Sequence, residues 1–142
     1  MSQGKVMRGQ SGAAAVEFAL VLPVLLLILF SILEYGWFMT HQLVLTHAVA
    51  AGARAGVQAN EWDEEDPEDP VEEATRVVRA SFWLFDISEQ DIAADDEFRL
   101  TSNGPRMLEV TVSDLEYGGL TGYLPAALLP KRLSARAVMV FP

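Results

Sequence analysis

An uncharged apolar run is the feature that most constrains how this chain can fold. Residues 18–33 contain no charged side chain, and the run resumes beyond Glu34. At a helical rise of about 1.5 Å per residue, residues 18–39 span roughly 30 Å, which is the thickness of a bilayer's hydrocarbon core. A small soluble domain cannot cover such a helix on every side. We therefore predict a transmembrane segment over residues 18–39, with Glu34 near one interface and Tyr35 and Trp37 as its aromatic belt.

The charge distribution predicts the orientation of this segment. The net charge is −10, but the charged side chains before the apolar run are Lys5 and Arg8, and nearly all the acidic residues follow Asn60. Because basic residues flanking a membrane helix favour the cytoplasmic side, residues 1–12 are expected in the cytoplasm and the acidic part outside it. An acidic domain repels nucleic-acid phosphates, so we expect no nucleic-acid partner.

A cleaved secretory signal is an alternative explanation of the apolar run. The apolar region of such a signal is shorter and ends in small residues resembling A-x-A. Here the run ends in Glu34, Tyr35, Gly36, Trp37 and Phe38, which are mostly bulky. The helix is therefore expected to stay on the protein.

The residues before the run carry a more specific pattern. A basic leader and Ser11-Gly12 are followed by three alanines, a valine and Glu17. This pattern resembles a type IV prepilin signal. The longer string GAAAVEFALVLPVLLLILFSILEYG, with AVAAGARAG downstream, resembles the TadE-like family, the minor pilins (pseudopilins) of tight-adherence (Tad/Flp, type IVb) pilus systems.

The resemblance implies a processing site and an assembly contact. A prepilin peptidase would cut between Gly12 and Ala13, removing residues 1–12 as a leader and leaving Glu17 fifth in the mature chain. In the resembling pilins, this Glu is thought to pair with the N-terminal amine of a neighbouring subunit, here that of Ala13; such a pair neutralises a charge in a low-dielectric setting. Alternatively, Glu17 is an ordinary acid favoured by the helix dipole.

The function implied by the resemblance is that of a structural minor pilin. Its partners would be the prepilin peptidase, a TadF-like minor pilin, the Flp major pilin and the assembly platform of the bacterial inner membrane. The alternative is a single-pass, membrane-anchored module for extracytoplasmic binding or sensing that does not polymerise. The sequence pattern does not distinguish a TadE-type chain from a TadF-type chain.

The second half of the N-terminal helix, predicted over residues 13–59, contains a strip of small residues. Ala48, Gly52 and Gly56 are four apart, so they lie on one face and allow another helix to approach closely. This face would meet either the chain's own globular domain or neighbouring subunits. His41 and His47 do not share a face well, so we interpret them as solvated helix residues rather than metal ligands.

The remaining chain predicts an outer α+β domain. Residues 60–70 contain seven acids and two prolines and are expected to form an exposed linker. A helix should begin with Asp69 as N-cap and Glu72 completing a capping box, and end near Phe85. Residues 71–142 would then form the domain beyond the linker.

Alternating apolar residues predict an antiparallel sheet of three or four strands beneath this helix. The signals are Phe98 with Leu100, a turn at Asn103-Gly104, residues 106–113, and residues 133–141. The loop of residues 117–130 should pack against the domain because it is rich in aliphatic side chains.

We expect no enzymatic activity and no cofactor. The sequence has no cysteine, which excludes thiol catalysis and cysteine zinc sites. It also has no Gly-rich phosphate loop and no nucleophile elbow, and its clustered carboxylates fall in the predicted linker.

The positions of Lys5 and Arg8 generate a prediction about topology. A reporter fused after Pro142 should be active only outside the cytoplasm, because the basic residues hold the N-terminus inside. Paired fusions of an alkaline phosphatase and a cytoplasmic fluorescent protein measure this. A fusion active only in the cytoplasm would contradict the predicted orientation.

Overall fold

One long helix dominates the molecule. The computed structural model describes residues 10–59, 68–84, 86–99, 104–125 and 127–142. Helix α1 (Gln10–Gln58) is the first element of the chain, and it continues through Pro23. The predicted calls that lie outside the described residues are most of the leader (residues 1–9), most of the acidic linker (residues 60–67), Phe85, Leu100 and Asn103.

The two halves of α1 have different surroundings. From Val16 to Leu33 most large apolar side chains are exposed, with Leu20 73% and Ile32 65% accessible. Within the described residues, α1 is the one helix long and apolar enough to cross a membrane, and none of its most apolar stretch is buried. Beyond Glu34, the helix carries core residues such as Leu45 and Val49. The first half therefore projects from the domain that the second half helps to build.

Helix α2 (Pro70–Ser81) begins where the sequence predicts. Asp69 is the N-cap, and its Oδ1 accepts a hydrogen bond from the N–H of Val71 at 2.8 Å. The predicted end near Phe85 is wrong, because the helix stops at Ser81 and Phe82 adopts φ −95°, ψ 89°. Phe82 nevertheless remains buried. The apolar periodicity of the sequence therefore continues past the end of the helix, because Phe82 packs into the core from the C-cap position.

Three antiparallel strands form the sheet, in the order β1–β2–β3. These are β1 (Ile92–Phe98), β2 (Met107–Glu116) and β3 (Arg132–Val140), with a short 3-10 helix at Glu89–Asp91 before β1. The predicted alternation on β2 is confirmed, since Leu108, Val110 and Val112 are fully buried. The expected α+β fold is likewise confirmed, with three strands.

Strand β1 begins earlier than its apolar signal. Phe98, the first predicted strand residue, is its last residue. The strand carries Asp95, Asp96 and Glu97, which are poor strand formers, so the sequence of this segment does not predict a strand. Pairing with β2 holds it in place instead, and Asp96 forms an ion pair with Arg106.

The small-residue strip of α1 lies against α2. A Cβ built on Gly52 would stand 2.7 Å from the carbonyl oxygen of Ala74, and one built on Gly56 would stand 2.6 Å from that of Pro70. Ala48 is also buried. In the single chain, this face therefore meets the chain's own domain, the first of the two alternatives.

The close approach at Gly52 generates a stability prediction. Gly52→Ala should lower the free energy of unfolding by about 1–3 kcal/mol, because the added methyl group meets backbone and must push α2 away. Gly36→Ala is the matched control: a Cβ there meets nothing within 4 Å, so the variant should gain about 0.5–1 kcal/mol of helix propensity. Unfolding in detergent, followed by circular dichroism, measures both. Equal stabilities of the two variants would contradict the packing described.

Candidate functional site

The N-terminal part of α1 presents the predicted processing and assembly residues together. Gly12, Ala13 and Glu17 are all exposed on the helix, and a Cβ at Gly12 would meet nothing within 4 Å. Ala13 and Glu17 are four residues apart, so they lie on one face about one turn from each other. The backbone at the predicted cut is helical and is not covered by the α+β domain.

Glu17 stands among exposed apolar side chains. Val16 and Phe18 on either side of it are 62% and 60% accessible. Among the residues that the structure describes, no basic side chain pairs with the Glu17 carboxylate. A carboxylate in lipid is expensive unless it finds a partner or reaches the interface. The arrangement thus leaves Glu17 available to a cation from outside the chain.

A second carboxylate on α1 has the opposite surroundings. Glu34 is fully buried. Its Oε1 accepts a hydrogen bond from the N–H of Leu120 at 2.6 Å. Its Oε2 accepts from the N–H of Thr121 at 2.9 Å and from the Thr121 hydroxyl at 2.7 Å. Three donors on one loop therefore bind a carboxylate at the end of the apolar stretch.

Glycines let this loop wrap the carboxylate. A Cβ on Gly119 would stand 2.6 Å from the Glu34 Oε1, so a larger residue would displace either the loop or the carboxylate. Gly122 has φ +66°, a left-handed conformation that other residues rarely adopt. The sequence Gly-Gly-Leu-Thr-Gly, residues 118–122, supplies both properties.

Aromatic and backbone contacts fix the loop on both sides of Glu34. The Tyr123 ring stacks on Phe30 with centroids 4.6 Å apart, one helical turn before Glu34. The Tyr35 hydroxyl donates to the carbonyl oxygen of Leu128 at 2.6 Å. The loop therefore lies along α1 where the exposed apolar stretch gives way to the domain core.

An aromatic cluster lies directly beyond Glu34. His41 is buried, its Nδ1 lies 2.9 Å from the carbonyl oxygen of Trp37, and its ring packs edge-on against Trp37 and Tyr117. The interpretation of His41 as a solvated residue is therefore wrong, whereas His47 is exposed. Burial raises the pKa of the Tyr117 hydroxyl, and the nearby negative charge of Glu34 and a hydrogen bond to that residue raise it further.

No metal centre accompanies this cluster in the described part of the chain. Within residues 10–59, 68–84, 86–99, 104–125 and 127–142, no three His, Asp or Glu side chains come together in a way that could hold a metal ion. The buried Glu34 carboxylate binds backbone and hydroxyl donors instead, and the His41 ring lies against the carbonyl oxygen of Trp37.

The match with a known family covers the first helix. Residues 12–54 match the family model described as TadE-like protein. The N-terminal helix is TadE-like. The resemblance inferred from the sequence is thus confirmed over these residues, and it associates the chain with Tad pilus systems. Comparison with curated proteins and comparison with solved structures each gave no match.

The TadE-like segment contains Gly12, Ala13 and Glu17 at its start and ends within the strip that packs against α2. Residues 55–142, which include α2 and the sheet, lie outside the match. The apolar helix of the matched segment is compatible with a single-pass membrane protein of a Tad system. The family resemblance therefore resides in the membrane-type helix and its junction with the domain.

Sequence reasoning missed the role of Glu34. The sequence predicts this residue near a membrane interface, but its loop partners are 86 and 87 positions away. Two features of the sequence relate to this contact: an acidic residue ends the apolar run, and a loop far along the chain is rich in glycine and aliphatic residues. Neither signal identifies the other as its partner.

The loop contacts generate a prediction for Glu34. Glu34→Ala should speed hydrogen exchange at the Leu120 and Thr121 amides at least about tenfold, because both lose their acceptor, and a tenfold ratio corresponds to about 1.4 kcal/mol. Thr121→Val is the matched control, since it removes the hydroxyl bond alone and should have a smaller effect on Leu120. Exchange measured by mass spectrometry in detergent tests this. Unchanged exchange in Glu34→Ala would refute the contact.

Proposed function

We propose that this protein is a structural minor pilin (pseudopilin) of a Tad/Flp-type pilus, built into the assembly through α1. The observation that carries the proposal is the exposed TadE-like helix, which holds Gly12, Ala13 and Glu17 in prepilin register on an apolar surface. The outer domain leaves this surface uncovered. Lipid before assembly and other subunits after it are the environments that suit such a helix.

In this proposal, processing supplies a cation that can pair with Glu17. Cleavage of the Gly12–Ala13 bond by a prepilin peptidase creates a free ammonium on Ala13. The exposed surroundings of Gly12 favour access to this bond. In an apolar environment an ammonium is a strong partner for a carboxylate, so the amine of one subunit and Glu17 of the next neutralise each other.

The pair favours assembly because the separate charges are costly. In a lone subunit both the amine and Glu17 must be solvated at the membrane boundary. Lateral contact between subunits lets the charges meet, while the helices bury apolar surface. The alternative, in which Glu17 serves only the helix dipole, gives no advantage to the assembled state.

The proposal includes a location and partners. The protein would sit in the bacterial inner membrane with its outer domain outside the cytoplasm, and it would enter the pilus from there. Its partners would be the peptidase, a TadF-like minor pilin, the Flp major pilin and the assembly platform. The role is structural rather than enzymatic.

The Glu17 contact generates the prediction that tests this function. Glu17→Gln keeps the side-chain shape but removes the charge, so the variant should insert and be processed normally. Its recovery with sheared pili should fall more than tenfold, because removing one partner of a buried ion pair costs about 3 kcal/mol. Membrane level, leader removal and pilus-fraction level should be measured by immunoblotting in parallel.

A control separates the assembly effect from a general charge effect. Glu72→Gln removes one negative charge from the exposed side of α2 and should leave recovery with pili unchanged. Equal pilus incorporation of wild type and Glu17→Gln would reject the ion-pair account. Loss of Glu17→Gln from the membrane would indicate a role in folding or insertion instead.

A further inference from the structure

The loop held by Glu34 presents apolar side chains to its surroundings. Leu120 is 53% accessible, Tyr123 75% and Leu128 57%, and Tyr35 of α1 beside them is 43% accessible. We call these four residues the apolar rim. The loop's polar contacts are directed inward to Glu34 and Tyr35, and Leu124 is buried, while the side chains of Leu120, Tyr123 and Leu128 are exposed. In an ordinary loop on the protein surface, polar side chains face the solvent and apolar side chains face the protein.

The position of the apolar rim along α1 follows from its contacts. Tyr123 stacks on Phe30, and Leu120 lies beside Glu34. The exposed stretch of α1, residues 13–33, is apolar apart from Glu17 and is about 31 Å long as a helix, which matches a hydrocarbon core of about 30 Å. It lies nearer the N-terminus than the transmembrane segment predicted over residues 18–39, because the buried residues of the helix begin at Glu34, which the loop of the domain contacts. A bilayer fitted to this stretch ends near Leu33, so Phe30 lies about one turn inside it.

We propose that the apolar rim inserts into the outer boundary of the bilayer that surrounds α1, so that the domain rests on lipid at a second point. This inference rests on the proposed membrane anchoring of α1. The ligand is the lipid interface, the region between head groups and acyl chains. Tyr35 and Tyr123 suit that region because their rings are apolar and their hydroxyls are polar.

The burial of Glu34 supports lipid as the occupant of this surface. The carboxylate stands at the level where the fitted bilayer ends, so an uncovered Glu34 would face lipid head groups or chains. The loop shields it with three donors and turns leucine and tyrosine side chains outward. The same loop therefore hides a charge from lipid and presents an apolar surface at lipid depth.

Spin labels can measure the depth of the apolar rim in the full chain. The sequence has no cysteine, so single-cysteine variants can be labelled with a nitroxide without other changes. Leu120→Cys and Leu128→Cys are suitable because these residues bind Glu34 and Tyr35 through backbone atoms. The labelled proteins should be reconstituted into unilamellar vesicles of phosphatidylcholine and phosphatidylglycerol.

Two control positions calibrate the measurement. Leu27→Cys labels the exposed apolar stretch of α1 and should report the bilayer interior. Gln58→Cys labels the exposed last residue of α1, about 36 Å beyond Glu34, and should report water. Collision with oxygen, which concentrates in lipid, is compared with collision with a water-soluble nickel chelate at each position.

The expected result is an oxygen-to-nickel ratio at Leu120→Cys and Leu128→Cys several-fold above that at Gln58→Cys and below that at Leu27→Cys. Rim labels that match Gln58→Cys, while Leu27→Cys reports lipid, would overturn this inference and leave the anchoring intact. A water-exposed Leu27→Cys would overturn the anchoring itself, and the inference with it. Rim labels shielded from both reagents, with spin–spin broadening that grows with protein density, would assign the surface to a second copy of the chain and overturn the lipid assignment.

Discussion

The hydrogen bonds between Glu34 and the loop of residues 118–122 join the two parts of this molecule. Helix α1 passes without interruption from an exposed apolar stretch into a packed core, and Glu34 lies between that stretch and the first core residues of the helix, such as Leu45. A buried carboxylate is stable only when its oxygens are hydrogen-bonded. The three loop donors meet that requirement, so the loop is held to the helix at the boundary between two environments.

A second constraint operates at the far end of the same helix. Gly52 and Gly56 allow α2 to approach α1 so closely that a methyl group would meet its backbone. Contact at this end and bonding at Glu34 hold the domain along the second half of α1. The first half is left free, and it is the half that carries Glu17 and the exposed TadE-like surface. The molecule thus separates a part whose apolar side chains are buried in a core from a part whose apolar side chains are exposed.

Features set by local chemistry could be read from the sequence. The Asp69 cap and the buried face of β2 depend on residues near each other in the chain, and both were predicted. The errors arise where distant residues decide the outcome. His41 is buried because Tyr117 packs against it, β1 is held by pairing with β2, and Glu34 is bonded by a loop 86 residues away. The candidate assembly residues were readable because they belong to one short motif, whereas the loop site was not.

The central claim is that the chain is a processed subunit whose new N-terminus takes part in assembly. The intact mass of wild-type protein, extracted from the membranes of cells that assemble the pilus, tests it most directly. The account predicts a single species that begins at Ala13 and lacks residues 1–12. A species that keeps residues 1–12 would contradict it, because no ammonium would then exist on Ala13 to pair with Glu17.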